Sequence, residues 1–181
     1  MKSLRHLTTV LLIAASSWLY AEPRELDWLE LMPAADRIAL ENMPDIDHGV
    51  SPERPGDFSA PGGMKQAPGL PAVMYSANTV AALDKQQIRL AGYPVPLDSD
   101  GQGLSREFFL VPYAGACIHV PPPPPNQIIL VSFAEGLLIE DLYIPIEVSG
   151  ELRIESVSDP LADAAYVMQA SSVQLLTEEQ P

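Results

Sequence analysis

The chain has 181 residues, with 24 acidic and 10 basic side chains, a formal net charge of −14 and a single cysteine. Such a surface repels nucleic acid and anionic membranes, and it attracts cations and basic partners. One cysteine excludes an internal disulfide, and the length suits one domain with a real hydrophobic core.

The first 21 residues are typical of a secretory signal peptide. Lys2 and Arg5 give a basic start, an apolar run extends from Leu7 to Ala15, and small residues precede a predicted cleavage after Ala21. This run is too short to span a bilayer, and no other stretch reaches about 18 uninterrupted apolar residues. We therefore expect a soluble, exported protein with no membrane span in its mature form. Since the leader holds two of the ten basic residues and no acidic one, the mature charge is −16.

Two segments precede the predicted strands. Residues 22–43 carry apolar side chains among helix-forming neighbours, with a break near Pro33, which predicts a short helical N-terminal segment. Residues 44–72 are rich in proline and glycine and show little periodicity, so we interpret them as an irregular Pro/Gly-rich arm.

Residues 73–176 have the pattern of a β-domain. Five segments combine short apolar runs with alternation, and turn residues separate them: QIRLAGYPVPL, EFFLVPY, QIILVSF, IPIEVSGELRIE and AYVMQASSVQLL. They predict a mainly β fold, a small antiparallel OB-like Greek-key barrel, followed by a tail at 177–181. Gly92, Gly136 and Gly150 fit bends or turns, and SDPLADAA at 158–165 is expected to form one helical turn.

The sequence GACIHVPPPPPNQ, residues 115–127, contains the most distinctive chemistry. Residues two apart in an extended chain face the same side, so Cys117 and His119 present sulfur and nitrogen side by side. Thiolate and imidazole both bind zinc, and copper accepts the same pair. The five prolines form a stiff polyproline II path, and Val120 before them is held extended, so the pair is preorganised. Because zinc in proteins is usually bound by four ligands, this pair would supply half of the site.

The stretch DSDGQG, residues 98–103, begins like a calcium loop. Gln102 stands where the third acidic ligand belongs, and the twelfth position is Phe109 instead of glutamate. A hairpin turn with Asp100 and Gly101 as the turn pair accounts for it better.

Other side chains are candidates to complete the metal site. Asp98, Asp100 and Glu107 can reach it if the hairpin folds over the Cys-x-His strand, and His48 in the arm is a further candidate, although a solvated loop histidine is the simpler interpretation. Water or a partner protein can also supply a ligand. The predicted metal ligands are Cys117, His119, His48, Asp98 and Glu107, and no catalytic residue is predicted.

Two other interpretations of the Cys-x-His segment remain open. In the first, the chain is a non-catalytic interaction module, Cys117 is structural, and a partner docks on the prolines. In the second, His119 activates Cys117 as a nucleophile, but parallel side chains on one strand suit this poorly and no orienting Asp or Asn is marked. We therefore expect no enzymatic activity.

The quoted segments resemble an uncharacterised family of bacterial exported proteins with the hallmark G-A-C-I-H-x-P-P-P-P-P-N-Q. The resemblance covers roughly residues 72–176. Members are often encoded beside an ABC transporter of the macrolide-exporter type and a periplasmic metal-binding protein, in clusters that respond to zinc shortage. The resemblance thus implies a periplasmic location and a metal-handling role, with Cys117 and His119 as the only motif positions carried over. The combined prediction is a zinc carrier or metallochaperone that serves a metal-uptake ABC transporter, with copper as the alternative metal.

Overall fold

The computed structural model describes residues 22–43, 65, 69–116 and 122–176. The expected signal peptide, most of the Pro/Gly-rich arm and the tail at 177–181 lie outside the described residues. Within the described ranges, no helix has the length and apolar character needed to cross a membrane.

Six strands and one α-helix make up the regular structure of the described residues. The strands are β1 (Arg24–Glu25), β2 (Gln86–Pro96), β3 (Leu104–Val111), β4 (Ile129–Leu138), β5 (Ile146–Ser158) and β6 (Asp163–Leu175). The helix α1 spans Ala34–Glu41, and single 3-10 turns lie at Trp28–Leu31, Ala72–Tyr75, Ala81–Leu83 and Pro125–Gln127. Each of the five long strands overlaps most of one of the segments predicted from the alternation.

Five strands close into a barrel. They pair in the order β2, β3, β4, β6, β5, and β5 returns to pair with β2. The predicted small OB-like barrel with a short helical N-terminal segment is confirmed. Its pairings are antiparallel except one: β4 and β6 run parallel, with Ile129 beside Tyr166. This exception follows from the Greek-key path, which places β5 between β6 and β2.

Two glycines allow the long strands to bend. Gly92 is the residue at which β2 leaves β5 and begins to pair with β3, and a Cβ there would lie 2.8 Å from the Trp28 ring and from the Val111 carbonyl oxygen. Gly150 lies at a register shift between β5 and β6, where a Cβ would lie 2.3 Å from the Gln169 carbonyl oxygen. Both positions match the predicted bends, because only glycine lets the chains approach so closely.

The barrel wall is apolar on both faces. Side chains that face inward form the main core, among them Ile88, Leu90, Phe108, Leu110, Ile129, Val131, Ile146, Val148, Leu152 and Met168. A second cluster, here called the outer cluster, consists of Val95, Phe109, Val111, Ala116, Ile128, Ala162 and Ala164. Since neighbouring residues on a strand point to opposite faces, β3 buries Phe108 and Leu110 inside and Phe109 and Val111 outside.

The N-terminal segment packs against the main core. Leu26 and Leu31 are buried within it, and the Trp28 indole N–H donates to the Ala91 carbonyl oxygen at 2.7 Å. Asp27 caps the first 3-10 turn in a capping box with Glu30, and Pro33 stands before α1. The predicted break at Pro33 is therefore observed.

Two local features differ from the sequence predictions. The expected helical turn within SDPLADAA was wrong: β5 and β6 continue into a hairpin, whose turn is fixed by the Asp159 side chain accepting from the Leu161 N–H at 2.8 Å. Asp and Pro favour turns, and the long antiparallel pairing outweighs the helix-forming residues. The short strand β1, which pairs with β2 in parallel, was not predicted because two residues carry no periodicity.

Candidate functional site

The Cys-x-His segment joins two buried parts of the structure. Cys117 and His119 lie outside the described residues, as does His48. On one side Ala116 is fully buried in the outer cluster, and on the other side Pro122, Pro123 and Pro124 are buried. The segment 117–121 therefore connects two fixed points of the fold.

Tyr113 lies on the connection that leads from β3 to this segment. The residue is 39% exposed to solvent. Partial burial nevertheless raises the pKa of the phenol to about 12, because the anion is less well solvated there. Tyr113 thus stays a neutral phenol at physiological pH.

The two amides after the prolines tie this region to the N-terminal segment. Asn126 Nδ2 donates to Asp36 Oδ2 and to the Asn78 carbonyl oxygen, both at 3.0 Å. The Ser76 hydroxyl also donates to the Asp36 carboxylate. Gln127 Nε2 donates to the Trp28 carbonyl oxygen at 2.8 Å. Sequence reasoning missed these roles, although two adjacent amides directly after five prolines are an unusual combination.

The Asn126 side chain is fully buried and only half satisfied. Its Oδ1 atom has no hydrogen-bond partner within the described part of the chain. A buried amide oxygen without a partner costs about 1–3 kcal/mol, and such atoms are commonly satisfied by an ordered water. The hydrogen bonds of Asn126 thus join only polar groups, and we expect a substitution at this residue to lower the stability of the fold.

Two of the predicted carboxylates meet at a cleft on the barrel surface. The cleft has a volume of about 440 Å³ and lies where the β2–β3 turn faces β4 and β6. Its lining residues are Asp98, Ser99, Asp100, Leu104, Arg106, Glu107, Ser132, Phe133, Ala134 and Gln169. Asp98 and Glu107 are both exposed, and neither carboxylate takes part in a hydrogen bond or ion pair recorded among the described residues.

The Asp100 carboxylate, in contrast, accepts hydrogen bonds from the turn in which it lies. Its Oδ1 accepts from the Gln102 N–H at 2.8 Å and from the Leu104 N–H at 3.1 Å, and its Oδ2 accepts from Arg106 at 3.1 Å. The backbone hydrogen bonds from Gln102 and Leu104, followed by Arg106, lower the pKa of Asp100. Gly103 adopts a positive φ and donates to the Asp100 carbonyl oxygen. The predicted hairpin turn within DSDGQG is confirmed, but its central pair is Gly101 and Gln102 instead of Asp100 and Gly101, because the hydrogen bond from the Gly103 N–H closes the turn on the Asp100 carbonyl oxygen.

The structure thus brings together part of the predicted ligand set. Asp98 and Glu107 share the cleft, whereas the thiol and both candidate histidines lie outside the described residues. Within the ranges that are described, no three His, Cys, Asp or Glu side chains are grouped closely enough to hold a metal ion.

These features define a small OB-like barrel with an N-terminal segment packed against its core and a cleft beside its first hairpin turn. The chain belongs to the DUF3299 family of proteins of unknown function, whose sequence profile matches residues 28–175. It is similar to the crystal structure of a DUF3299 family protein from Pseudomonas aeruginosa PAO1, with 40% identity and a TM-score of 0.63. That match covers 87% of this chain and 99% of the other. None of the curated proteins compared with the chain matches it.

Proposed function

We propose that this protein is a periplasmic metal-binding accessory protein that carries zinc for a metal-uptake ABC transporter, with Cys117 and His119 as its first ligands. The observation that carries the proposal is the burial of both flanks of the Cys-x-His segment, at Ala116 and at Pro122–Pro124. The transporter role rests on the gene neighbourhood that the family resemblance implies.

Anchored flanks favour metal binding for an entropic reason. Ordering a free peptide around a metal costs about 1–2 kcal/mol of backbone entropy per residue. A segment of five residues that is held at both ends has already lost part of this freedom, so less is lost on binding. The amides of Asn126 and Gln127 strengthen the second anchor through their hydrogen bonds to Asp36 and Trp28.

An incomplete ligand set suits a carrier better than a permanent structural site. A zinc ion held by Cys117 and His119 keeps positions open for water, for a carboxylate or for a ligand of the receiving protein. Asp98, Glu107 and His48 stay candidates for the remaining positions. The net charge of −14 raises the local concentration of cations. Copper is the alternative metal, since the Irving–Williams order favours it at such sites.

Calorimetric titration of zinc into the reduced chain from residue 22 onwards tests the proposal. We expect stoichiometric binding that is lost in the Cys117→Ser, His119→Ala double variant. The variants Asp98→Asn with Glu107→Gln, and separately His48→Ala, show whether these side chains complete the site. Equal zinc affinity in the wild type and in the Cys117 and His119 double variant would overturn the assignment.

A second candidate is a non-catalytic interaction module in which Cys117 is part of the core. Burial on both sides of the Cys-x-His segment favours this candidate as well. It cannot use Pro122, Pro123 and Pro124 as a docking surface in this conformation, because they are buried. The two candidates differ in the reactivity of the thiol, which is slow in a core and fast on an open zinc site without metal.

A further inference from the structure

We propose that the cleft beside the β2–β3 turn binds an organic cation, an ammonium or guanidinium group on an aliphatic stem. Its volume of about 440 Å³ lies within the range of small-molecule sites, about 300–1,000 Å³. The proposal does not use Cys117 or His119, and it gives Asp98 and Glu107, which are also candidates to complete the zinc site, a ligand of their own.

The charge of the cleft selects a cation. Three carboxylates line it, Asp98, Asp100 and Glu107, against the single basic side chain of Arg106. The excess of negative charge favours a cation, and because these carboxylates are exposed, added salt should weaken the binding.

Arg106 forms an ion pair with only one of these three carboxylates, Asp100. Its Nη1 donates to Asp100 Oδ2 at 3.1 Å, and its Nε donates to the Ala134 carbonyl oxygen at 3.3 Å. The guanidinium is thereby directed to the turn and to β4. Asp98 and Glu107 remain as acceptors for an incoming N–H donor, and an ammonium group supplies three such donors and an arginine-type guanidinium five.

The remaining lining suits the stem of such a ligand. Leu104, Phe133 and Ala134 contribute apolar surface beside the two acceptors, and lysine and arginine stems cover apolar surface of this kind while their heads stay with polar partners. Gln169 also lines the cleft, and its Nε2 donates to the Ser132 carbonyl oxygen at 3.2 Å. The combination of an apolar wall and paired carboxylates fits an organic cation.

A bare divalent metal fits the same cleft less well. Metal ions of the zinc class take at least three protein ligands, and calcium takes six to eight oxygens. The cleft offers two uncommitted carboxylates, and the positive Arg106 stands beside them. By fold-level analogy, OB barrels bind ligands on the face of their second and third strands and the first loop, which corresponds to β3, β4 and the turn at Asp100.

NMR titration of the isotopically labelled chain tests the proposal, with N-acetyl-arginine amide, N-acetyl-lysine amide and spermidine as probes. We expect saturable shifts at the amides of Glu107 and Gln169, with an affinity at least tenfold weaker in Asp98→Asn, Glu107→Gln. The two amino acid amides represent a basic peptide side chain, and spermidine represents a free polyamine, so the tighter probe identifies the source of the cation.

A matched variant separates the cleft from general electrostatic attraction. Glu140→Gln with Glu155→Gln removes the same charge from exposed side chains outside the cleft, and it should retain wild-type affinity. The proposal is overturned by equal weakening in this control, by unchanged binding in the Asp98 and Glu107 variant, by no saturable shift with any probe, or by zinc shifting these amides when the organic cations do not.

Discussion

Asn126 Nδ2 donates a hydrogen bond to Asp36 Oδ2 at 3.0 Å, which joins the end of the proline run to the first turn of α1 across 90 positions of sequence. The same nitrogen donates to the Asn78 carbonyl oxygen. These contacts make the region after the Cys-x-His segment part of the folded unit, and they lead to the first prediction.

Asn126→Ala should lower the free energy of unfolding by about 1–3 kcal/mol, because it removes a fully buried donor from the part-buried hydrogen bonds to Asp36 and to the Asn78 carbonyl oxygen. Urea unfolding followed by circular dichroism measures the change. Asn78→Ala is the control: its side chain is exposed, so the loss should be smaller. Equal losses in the two variants would contradict the importance given to Asn126.

Tyr166→Phe should cost about 1–3 kcal/mol of unfolding free energy. The buried hydroxyl donates to the Leu31 carbonyl oxygen and accepts from the Val80 N–H, each at 2.8 Å, so its removal strands two backbone groups. Thermal unfolding compares it with Tyr143→Phe, whose ring is 58% exposed and whose loss should stay within about 0.5 kcal/mol. Similar melting temperatures for both variants would show that the hydroxyl does not link these segments.

Gly150→Ala should destabilise the barrel by about 1–3 kcal/mol or prevent folding, because the new methyl group would lie 2.3 Å from the Gln169 carbonyl oxygen. Gly101→Ala provides the matched control, since no atom lies within 4 Å of a Cβ at that turn position. Chemical denaturation of both variants measures the difference. A stable Gly150→Ala protein would contradict the close approach of β5 and β6.

Asp100 should make the β2–β3 turn sensitive to acid. Its pKa is lowered by the backbone N–H groups of Gln102 and Leu104, so on acidification the unfolded chain takes up its proton before the folded chain does. The stabilisation is present above the unfolded pKa of about 3.9 and is lost as the pH falls through the folded value. Carboxyl NMR titration should place the pKa of Asp100 below the ordinary aspartate value of about 3.9, and Asp100→Asn should flatten the acid dependence of stability. An Asp100 pKa equal to the ordinary aspartate value would contradict the role of its carboxylate as acceptor for the N–H groups of the turn.

Much of the fold could be predicted from the sequence because the barrel strands carry local signals. Segments such as QIILVSF are continuous apolar runs, which are typical of strands. The bends in the long strands lie at glycines, Gly92 and Gly150. The DSDGQG turn could be predicted because aspartate and glycine favour turns, but the pair at its centre could not: Asp100 occupies the first turn position and accepts the N–H groups of Gln102 and Leu104.

The polar contacts between distant segments could not be predicted in this way. Asp36 in α1 and Asn126 after the prolines each look like an ordinary surface residue, and only the folded chain brings them together. The cleft was not predicted: Asp98, Asp100 and Glu107 were marked only as candidates to reach the metal site, and the apolar wall comes partly from β4, far along the sequence.

The reaction rate of Cys117 with a maleimide, measured on the reduced chain from residue 22 onwards with and without zinc, tests the central claim most directly. The metal-carrier proposal predicts a reactive thiol that stoichiometric zinc protects and that a chelator exposes again. The unfolded chain in urea provides the rate of a fully accessible thiol. A thiol that reacts equally slowly with and without zinc would contradict the proposal and place Cys117 in the core of an interaction module.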